Sequence, residues 1–325
     1  MNIMYTCGDT NGIGPEIVLK TLSALKHKQA QCKKYFIVPR NVFLATTEIA
    51  PLDFPCELIE DFASASADKK IVSVITLPDV KQKYGKPDAH SGKASIRALE
   101  LAYGFIKNNK NTALVTAPIS KEAVKKAGYT YPGHTEMLAQ WSGTKHFVMM
   151  FLSKKMNGAL LTIHEPIKKV PGLLKTGFVQ NKIEVIINTL HKDFGIKAPK
   201  IALLGLNPHA GENGNIGAEE NEVFRPLIKK YSAIQGPFPA DAFFGMNLYK
   251  KYDCIIAPYH DQLLIPFKLL SFEDGVNFTA GLPFIRTSPD HGTAYDIAGT
   301  SSASPKSMIA ASNAAFSLLL KRKNG

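Results

Sequence analysis

The sequence lacks the features of a membrane or secreted protein. Its 325 residues contain no apolar run of about 18 residues, the length that a membrane-spanning helix needs. The first residues also lack the basic, apolar and small-residue regions of a signal peptide. We therefore expect a soluble cytoplasmic protein with no membrane partner.

Cysteine is scarce as well. Cys7, Cys32, Cys56 and Cys254 form no Cys-x-x-Cys pair and follow no regular spacing. This pattern indicates neither a disulfide framework nor a cysteine-ligated zinc site. Reduced thiols in packed positions are the simplest expectation.

Several motifs of nucleotide and acyl-transfer enzymes are missing. Gly8–Glu16 is rich in glycine, but it reads Gly-x-x-x-Gly-x-Gly and not the Gly-x-Gly-x-x-Gly of a Rossmann turn. The chain also has no Gly-x-x-x-x-Gly-Lys-[Ser/Thr] loop and no Gly-x-Ser-x-Gly turn, which argues against phosphoryl or acyl transfer. Gly8–Glu16 can be a tight turn that begins a helix at Pro15, or it can contact a ligand directly.

The charge is unbalanced, with a formal net charge of +12. The lysines are spread along the chain, and no basic run is interleaved with aromatic residues, so we expect no nucleic-acid partner. A positive field also concentrates a small anionic substrate.

What the sequence does contain is a regular alternation of segments. Short β-branched or aromatic runs, such as Thr112–Thr116 and Cys254–Pro258, alternate with helical segments such as Ser91–Asn108. This alternation predicts an α/β fold with a largely parallel sheet. Gly/Pro-rich segments at Tyr131–Gly133 and Gly281–Phe284 predict two lobes, 1–132 with 282–325 and 133–281. Ligands of such folds bind at the carboxyl ends of strands or in a cleft between lobes.

Three histidines form the strongest pattern. His164, His209 and His260 each follow a strand-like run, so their imidazoles can converge on one sheet edge and hold a metal with open positions. A single histidine at such a position would more simply be an ordinary polar residue. Asp261 and Glu212 are either acceptors that fix the ring tautomers or solvated acids.

Other polar residues suit an anionic ligand. Thr116–Lys121 combines small hydroxyls with a lysine at the end of a predicted strand. His134 and Thr135 can bind a phosphate or carboxylate, although Thr135 can equally cap a helix. Later in the chain come Lys268, Asn277 and Arg286. Apolar neighbours of Arg286 predict that this guanidinium is partly buried and needs an anion.

Two further segments complete the candidate site. The small residues of 290–299 form a weak nucleotide-binding pattern, with His291, Gly292, Thr293 and Ala294 at its start. Asp241 is a candidate base or ligand-orienting group, because neighbouring prolines give it a rigid frame.

Taken together, these segments resemble a known family. They are similar to the signature segments of the 4-hydroxythreonine-4-phosphate dehydrogenase (PdxA) family, in the family's order and over nearly the whole chain: Gly8–Glu16, Thr116–Lys121, Gly133–Glu136, Gly205–Glu212, Tyr259–Gln262 and Gly275–Gly299. Two of them, Gly12–Glu16 and His291–Gly299, also resemble loops of isocitrate and isopropylmalate dehydrogenases. The resemblance therefore implies their two-lobed fold of α/β/α layers, with the active-site cleft between the lobes.

The resemblance also implies roles for residues. Three histidines match ligands of a divalent metal such as zinc, magnesium or cobalt: His164, His209 and His260. Five residues match substrate-binding positions: His134, Thr135, Lys268, Asn277 and Arg286. The loop from His291 matches the segment that receives the adenosine half of NAD or NADP. The family is a homodimer whose active site takes residues from both subunits.

The implied reaction is the oxidation of 4-phosphooxy-L-threonine to 2-amino-3-oxo-4-phosphooxybutanoate. This product decarboxylates to 3-amino-2-oxopropyl phosphate, in the biosynthesis of pyridoxal 5'-phosphate. A related dehydrogenase of 4-phosphothreonate or 4-phosphoerythronate is the alternative within the enzyme class, and a non-catalytic metal- or nucleotide-binding module is the alternative outside it. Thr10-Asn11 and Ser120 depart from residues that members often carry, which bears on the fine substrate preference.

Overall fold

A computed structural model describes residues 1–131 and 133–324. The chain divides into two compact units, one made of Met1–Gly143 and Leu282–Lys323, the other mainly of Thr144–Gly281. The sequence placed the first boundary at residue 132, which itself lies outside the described residues. In the structure the boundary follows Gly143, because the helix that ends at Trp141 packs on Tyr103, whose hydroxyl donates to the Trp141 carbonyl at 2.6 Å.

The first unit contains a parallel sheet. Its strands are β1 (Asn2–Thr6), β2 (Lys33–Pro39), β3 (Cys56–Ile59), β4 (Val72–Leu77), β5 (Thr112–Thr116) and β12 (Ile285–Pro289), in the order β3-β4-β2-β1-β5-β12. Its helices are α1 (Gly14–Ala24), α2 (Arg40–Ile49), α3 (Ala89–Ile106), α4 (Lys121–Lys126), α5 (His134–Trp141) and α11 (Lys306–Asn324). Strands β2, β5 and β12 are buried along their whole length, as expected for parallel strands covered on both faces.

The second unit contains a mixed sheet. Its strands are β6 (Val148–Leu152), β7 (Asn157–Leu160), β8 (Ile201–Leu204), β9 (Ile234–Phe238), β10 (Cys254–Ala257) and β11 (Val276–Ala280), in the order β11-β6-β7-β10-β8-β9. Its helices are α6 (Val170–Leu173), α7 (Thr176–Lys192), α8 (Arg225–Lys230), α9 (Ala240–Gly245) and α10 (His260–Ser271). Strands β7, β10, β8 and β9 are parallel, whereas β6 runs antiparallel to both neighbours.

The predicted α/β class is confirmed. The predicted strand Thr112–Thr116 is β5, and the predicted helix Ser91–Asn108 is α3 with slightly shifted ends. The antiparallel direction of β6 was not predicted, because the residues of a short buried strand do not indicate whether it runs parallel or antiparallel to its neighbours. Over the described part of the chain, none of the helices combines the length and the apolar character that a membrane span requires.

The core of the second unit fixes the helix that begins at His260. Leu263 and Phe267 of α10 are fully buried and pack with Leu160 of β7 and Ile255 of β10. Because these two apolar residues lie one turn apart, one face of α10 is anchored on the sheet. The start of α10 is therefore held at the end of β10.

Candidate functional site

The three histidines singled out in the sequence follow three adjacent parallel strands. Strand β10 pairs with β7 on one side and with β8 on the other. His164 follows β7, His260 follows β10 as the first residue of α10, and His209 follows β8. Since parallel strands end at the same edge of a sheet, all three residues leave the sheet at one edge.

Two of these histidines are neighbours. The ring centroids of His164 and His260 lie 5.6 Å apart. The Nδ1 of His260 lies 2.7 Å from Oδ1 of Asp261, so this carboxylate can hold the Nδ1–H tautomer and leave Nε2 to bind a metal. That contact matches the ring-fixing alternative for Asp261.

His209 does not join the pair. It is exposed and lies in a tight turn, Pro208–Gly214, together with Glu212, which is also exposed. Among residues 1–131 and 133–324, no group of three or more His, Cys, Asp or Glu side chains is arranged to hold a metal ion. The described part of one chain therefore brings together two imidazoles of the predicted three.

In the first unit, Arg286 is buried in a group of hydroxyls. Only 3% of Arg286 is exposed, and its Nη2 and Nε donate to Oγ1 of Thr116 at 2.8 and 3.2 Å. Its Nη1 donates to Oγ1 of Thr135 at 3.4 Å. Burial lowers the pKa of Arg286 to about 10, and the charge of Glu136 opposes this shift, so the guanidinium stays charged at neutral pH.

The Thr135 hydroxyl is a hydrogen-bond partner of Arg286 and does not cap α5. Gly133 occupies the N-cap position of α5 and, as a glycine, has no side chain that could cap the helix. The Thr135 hydroxyl lies beside Arg286 instead. Of the two alternatives that the sequence left open for Thr135, the structure does not show the helix cap, and the role in anion binding stays a prediction.

His134 brings an unpartnered nitrogen to the same region. Its Nε2 is buried and has no hydrogen-bond partner among the residues that the structure describes. Burial, together with the nearby charge of Arg286, lowers the pKa of His134 well below 6.5, so the ring is neutral at physiological pH. A buried polar atom without a partner costs about 1–3 kcal/mol, which a bound ligand can recover by hydrogen bonding.

The remaining predicted residues lie in the second unit. Asn277 is on β11, and its Oδ1 is likewise buried without a hydrogen-bond partner among residues 1–131 and 133–324. Lys268 is exposed near the end of α10. Asp241 is exposed in the first turn of α9, a helix that lies next to the turn of His209.

The predicted cofactor loop and the glycine-rich segment form one structure in the first unit. The carbonyl of Thr293 accepts from the backbone N–H of Ile13 at 3.0 Å, and a Cβ at Gly12 would lie 2.7 Å from the same oxygen. Gly12 is therefore glycine because the two segments pack closely, which favours the structural alternative for Gly8–Glu16. By contrast, a Cβ at Gly292 would meet no atom of the described residues within 4 Å, so that end of the loop is open with respect to them.

Asp9 and Tyr295 connect these two segments, and neither was predicted from the sequence as a functional residue. Asp9 is fully buried; its Oδ2 accepts from the Tyr295 hydroxyl at 2.9 Å and from Ser91 Oγ at 3.1 Å. Burial raises the pKa of Asp9, although its hydrogen bonds partly oppose this shift. A carboxylate in a glycine-rich turn was the available signal, but its partner lies 286 positions away in the sequence.

Comparison with known proteins adds the family. The model of the family described as pyridoxal phosphate biosynthetic protein PdxA matches residues 30–315. A 4-hydroxythreonine-4-phosphate dehydrogenase of Sulfurihydrogenibium sp. is 40% identical, over 99% of both chains. The crystal structure of a 4-hydroxythreonine-4-phosphate dehydrogenase from Klebsiella pneumoniae aligns with a TM-score of 0.85 at 34% identity, over 98% of this chain and 97% of that one.

A more distant structure supports the fold alone. The β-decarboxylating dehydrogenase of Thermococcus kodakarensis aligns with a TM-score of 0.51 at 11% identity, over 96% of this chain and 81% of that one. The predicted likeness to decarboxylating dehydrogenases of this fold is confirmed at the level of architecture.

Proposed function

This chain belongs to the PdxA family of pyridoxal phosphate biosynthetic proteins, and we propose that it oxidises 4-phosphooxy-L-threonine as a 4-hydroxythreonine-4-phosphate dehydrogenase. The secondary alcohol of the substrate gives a hydride to a nicotinamide cofactor and loses a proton, which leaves a ketone. Because the ketone lies β to the carboxylate, the product loses carbon dioxide and yields 3-amino-2-oxopropyl phosphate. The chain thereby takes part in pyridoxal phosphate biosynthesis.

The observation that carries the substrate class is the buried cation beside an unpartnered imidazole. Arg286 is held by Thr116 and Thr135, and His134 Nε2 has no hydrogen-bond partner within the described part of the chain. A phosphate would accept two hydrogen bonds from the Arg286 guanidinium and a further one from the His134 imidazole N–H. We assign phosphate binding to His134, Thr135 and Arg286.

Two residues of the second unit are assigned to the same substrate. Lys268 supplies a further cation, and Asn277 presents a buried carbonyl oxygen that no described residue hydrogen bonds. An amide oxygen accepts hydrogen bonds from hydroxyl or ammonium groups, both of which 4-phosphooxy-L-threonine carries.

A nicotinamide cofactor follows from dehydrogenase activity, since it takes up the hydride. We assign its adenosine half to the loop of His291, Gly292, Thr293 and Ala294. The open space at Gly292 supports this assignment, and Tyr295 fixes the loop through its bond to Asp9. The proposal covers NAD and NADP alike.

The metal is assigned to His164, His209 and His260. The adjacent rings of His164 and His260 and the Asp261 carboxylate fit a metal ligated by imidazole, a donor that suits zinc better than magnesium. When bound, a divalent metal would stabilise negative charge on the alcohol oxygen as the hydride leaves. Asp241 is assigned as the proton acceptor, and its exposed carboxylate near the turn of His209 supports this role.

We further propose a homodimer with a shared active site. Three apolar side chains follow one another along α10 and just past its end, with exposures of 60% for Ile265, 82% for Leu269 and 78% for Phe272. Spacings of four and three residues put them on one face, and such a face marks a protein contact. A second copy seated on the helix that begins at His260 would explain why one chain groups only two of the three histidines. The cytoplasm is the proposed location, because four free cysteines fit a reducing compartment.

The test is nicotinamide absorbance with purified protein, a divalent metal, NAD or NADP, and 4-phosphooxy-L-threonine, run with and without a chelator. We expect reduction that the chelator abolishes. If the cofactor were reduced with 4-phosphothreonate or 4-phosphoerythronate but not with 4-phosphooxy-L-threonine, the protein would be the related dehydrogenase of those substrates. Reduction that survives full removal of metal would refute the metal assignment.

A further inference from the structure

The turn that carries His209 has an unusual backbone. Five consecutive residues have positive φ angles: His209 (51°), Ala210 (50°), Gly211 (77°), Glu212 (42°) and Asn213 (59°). For residues with a Cβ, a left-handed conformation costs roughly 1–2 kcal/mol each. Surrounding groups must therefore hold the turn in this shape.

One buried carboxylate makes the necessary contacts. Glu220 is 1% exposed, its Oε1 accepts from the backbone N–H of Asn207 at 2.8 Å, and its Oε2 accepts from Asn207 Nδ2 at 2.9 Å. The same carboxylate lies against the turn itself, because a Cβ at Gly211 would be 2.6 Å from Glu220 Oε2. Glu220 thus hydrogen bonds to Asn207, the residue before the turn. Its carboxylate also occupies the space inside the turn.

No cation offsets this charge among the residues that the structure describes. The ion pairs there do not include Glu220, so its acceptors are met by the two Asn207 donors. A buried carboxylate without a cation is costly. Glu220 also begins a single π-helical turn, Glu220–Phe224, a feature that is frequent at functional sites.

We propose that Glu220 is a positioning residue for His209. It fixes Asn207, and through Asn207 the left-handed turn, so that the His209 imidazole is presented in a single orientation for metal binding. This inference rests on the proposed function, in which His209 is a metal ligand. Glu220 itself does not touch the metal, the substrate or the cofactor.

The test compares two substitutions of Glu220 with a matched control in the full chain. Glu220→Gln can still accept from the Asn207 N–H but places an amide nitrogen against Asn207 Nδ2, and Glu220→Ala removes both contacts. Glu222→Gln removes one charge from the same π-helical turn at an exposed position. The probe is Co²⁺ added to chelator-treated protein, read by visible absorbance, together with amide hydrogen exchange of residues 207–214.

We expect the Co²⁺ dissociation constant to rise about 10- to 100-fold in Glu220→Gln, the usual effect of losing a group that orients a metal ligand. Glu220→Ala should show at least the same loss, and exchange should accelerate in residues 207–214. In the Glu220 variants, the visible absorption band of bound Co²⁺ should change shape when the site is partly loaded. Saturating Co²⁺ should restore their turnover. Glu222→Gln should match the wild type.

The opposite results are distinct. Unchanged Co²⁺ affinity and exchange in both Glu220 variants would overturn the proposal. Faster exchange throughout the second unit would also overturn it, because Glu220 would then be a general stabilising residue. If the wild type bound no Co²⁺, the metal assignment of the proposed function would fail, while exchange of residues 207–214 would still decide whether Glu220 holds the turn.

Discussion

The predicted phosphate-binding groups of the first unit and the predicted metal ligands of the second unit differ in burial and in completeness. Arg286 and Thr135 are each 3% exposed and already hydrogen bonded to each other. His164 and His209 are exposed, and His209 stands apart from the pair of His164 and His260. One chain thus brings the predicted phosphate-binding groups Arg286 and Thr135 together by itself, but it pairs only two of the three predicted metal ligands.

The difference has a physical cause. A guanidinium removed from water must be surrounded by acceptors when the chain folds, or its burial would destabilise the protein. An imidazole at the end of a strand loses little by staying in water until a metal arrives. Folding alone can therefore complete the first group, but the second depends on binding and, as we propose, on a second subunit.

The largest expected effect comes from breaking the histidine pair. His260→Ala leaves His164 without its neighbour, and we expect metal binding to be lost and turnover to fall by about a thousand-fold or more, since a metal supplies several kcal/mol of charge stabilisation. Metal content and nicotinamide reduction measure this. His191→Ala, an exposed histidine at the end of α7, is the control and should behave as the wild type. A metal-loaded, active His260→Ala protein would contradict the assignment.

The next effect tests the preformed anion site. Arg286→Lys keeps the charge but loses the fork that reaches both Thr116 and Thr135, so we expect kcat/KM for the phosphorylated substrate to fall by about a hundred-fold, mainly through KM. Arg97→Lys on the exposed side of α3 makes the same chemical change away from the site. If the two variants had equal kinetics, Arg286 would not bind phosphate.

A smaller effect concerns pH. Because the pKa of His134 is well below 6.5 in the folded protein, the unfolded chain takes up a proton near pH 6.5 that the folded chain does not. The free energy of unfolding should therefore decrease as pH falls below 6.5 towards the folded pKa, and His134→Asn should reduce that slope. Urea unfolding at several pH values measures it. A His134→Asn slope equal to that of the wild type would refute the burial argument.

The smallest effect concerns the cofactor loop. Tyr295→Phe removes the hydrogen bond to Asp9, so we expect KM for the nicotinamide cofactor to rise about two- to ten-fold with kcat nearly unchanged, in keeping with about 0.5–1.5 kcal/mol for one hydrogen bond. Tyr252→Phe loses a comparable bond, to Gln235 in the second unit, and should leave this KM unchanged. A Tyr295→Phe protein with unaltered KM would show that the loop needs no such support.

Much of the architecture could be predicted from the sequence, because its signals are local. Alternating segments predicted the α/β class, and the strand-like runs before His164, His209 and His260 predicted that all three follow strands. Apolar neighbours of Arg286 predicted its burial, which the structure places at 3% exposure. Each of these predictions needs only the residues next to the one concerned.

Only the tertiary structure decided which distant groups meet. The Thr135 hydroxyl accepts a hydrogen bond from Arg286 and does not cap a helix. Asp9 accepts a hydrogen bond from Tyr295, which lies 286 positions away in the sequence. The tertiary structure also placed α5 in the first unit and the Glu220 carboxylate against the turn of His209. Sequence periodicity fixes which face of an element is apolar, but packing between elements decides which polar atoms are buried together and what remains unpartnered for a ligand.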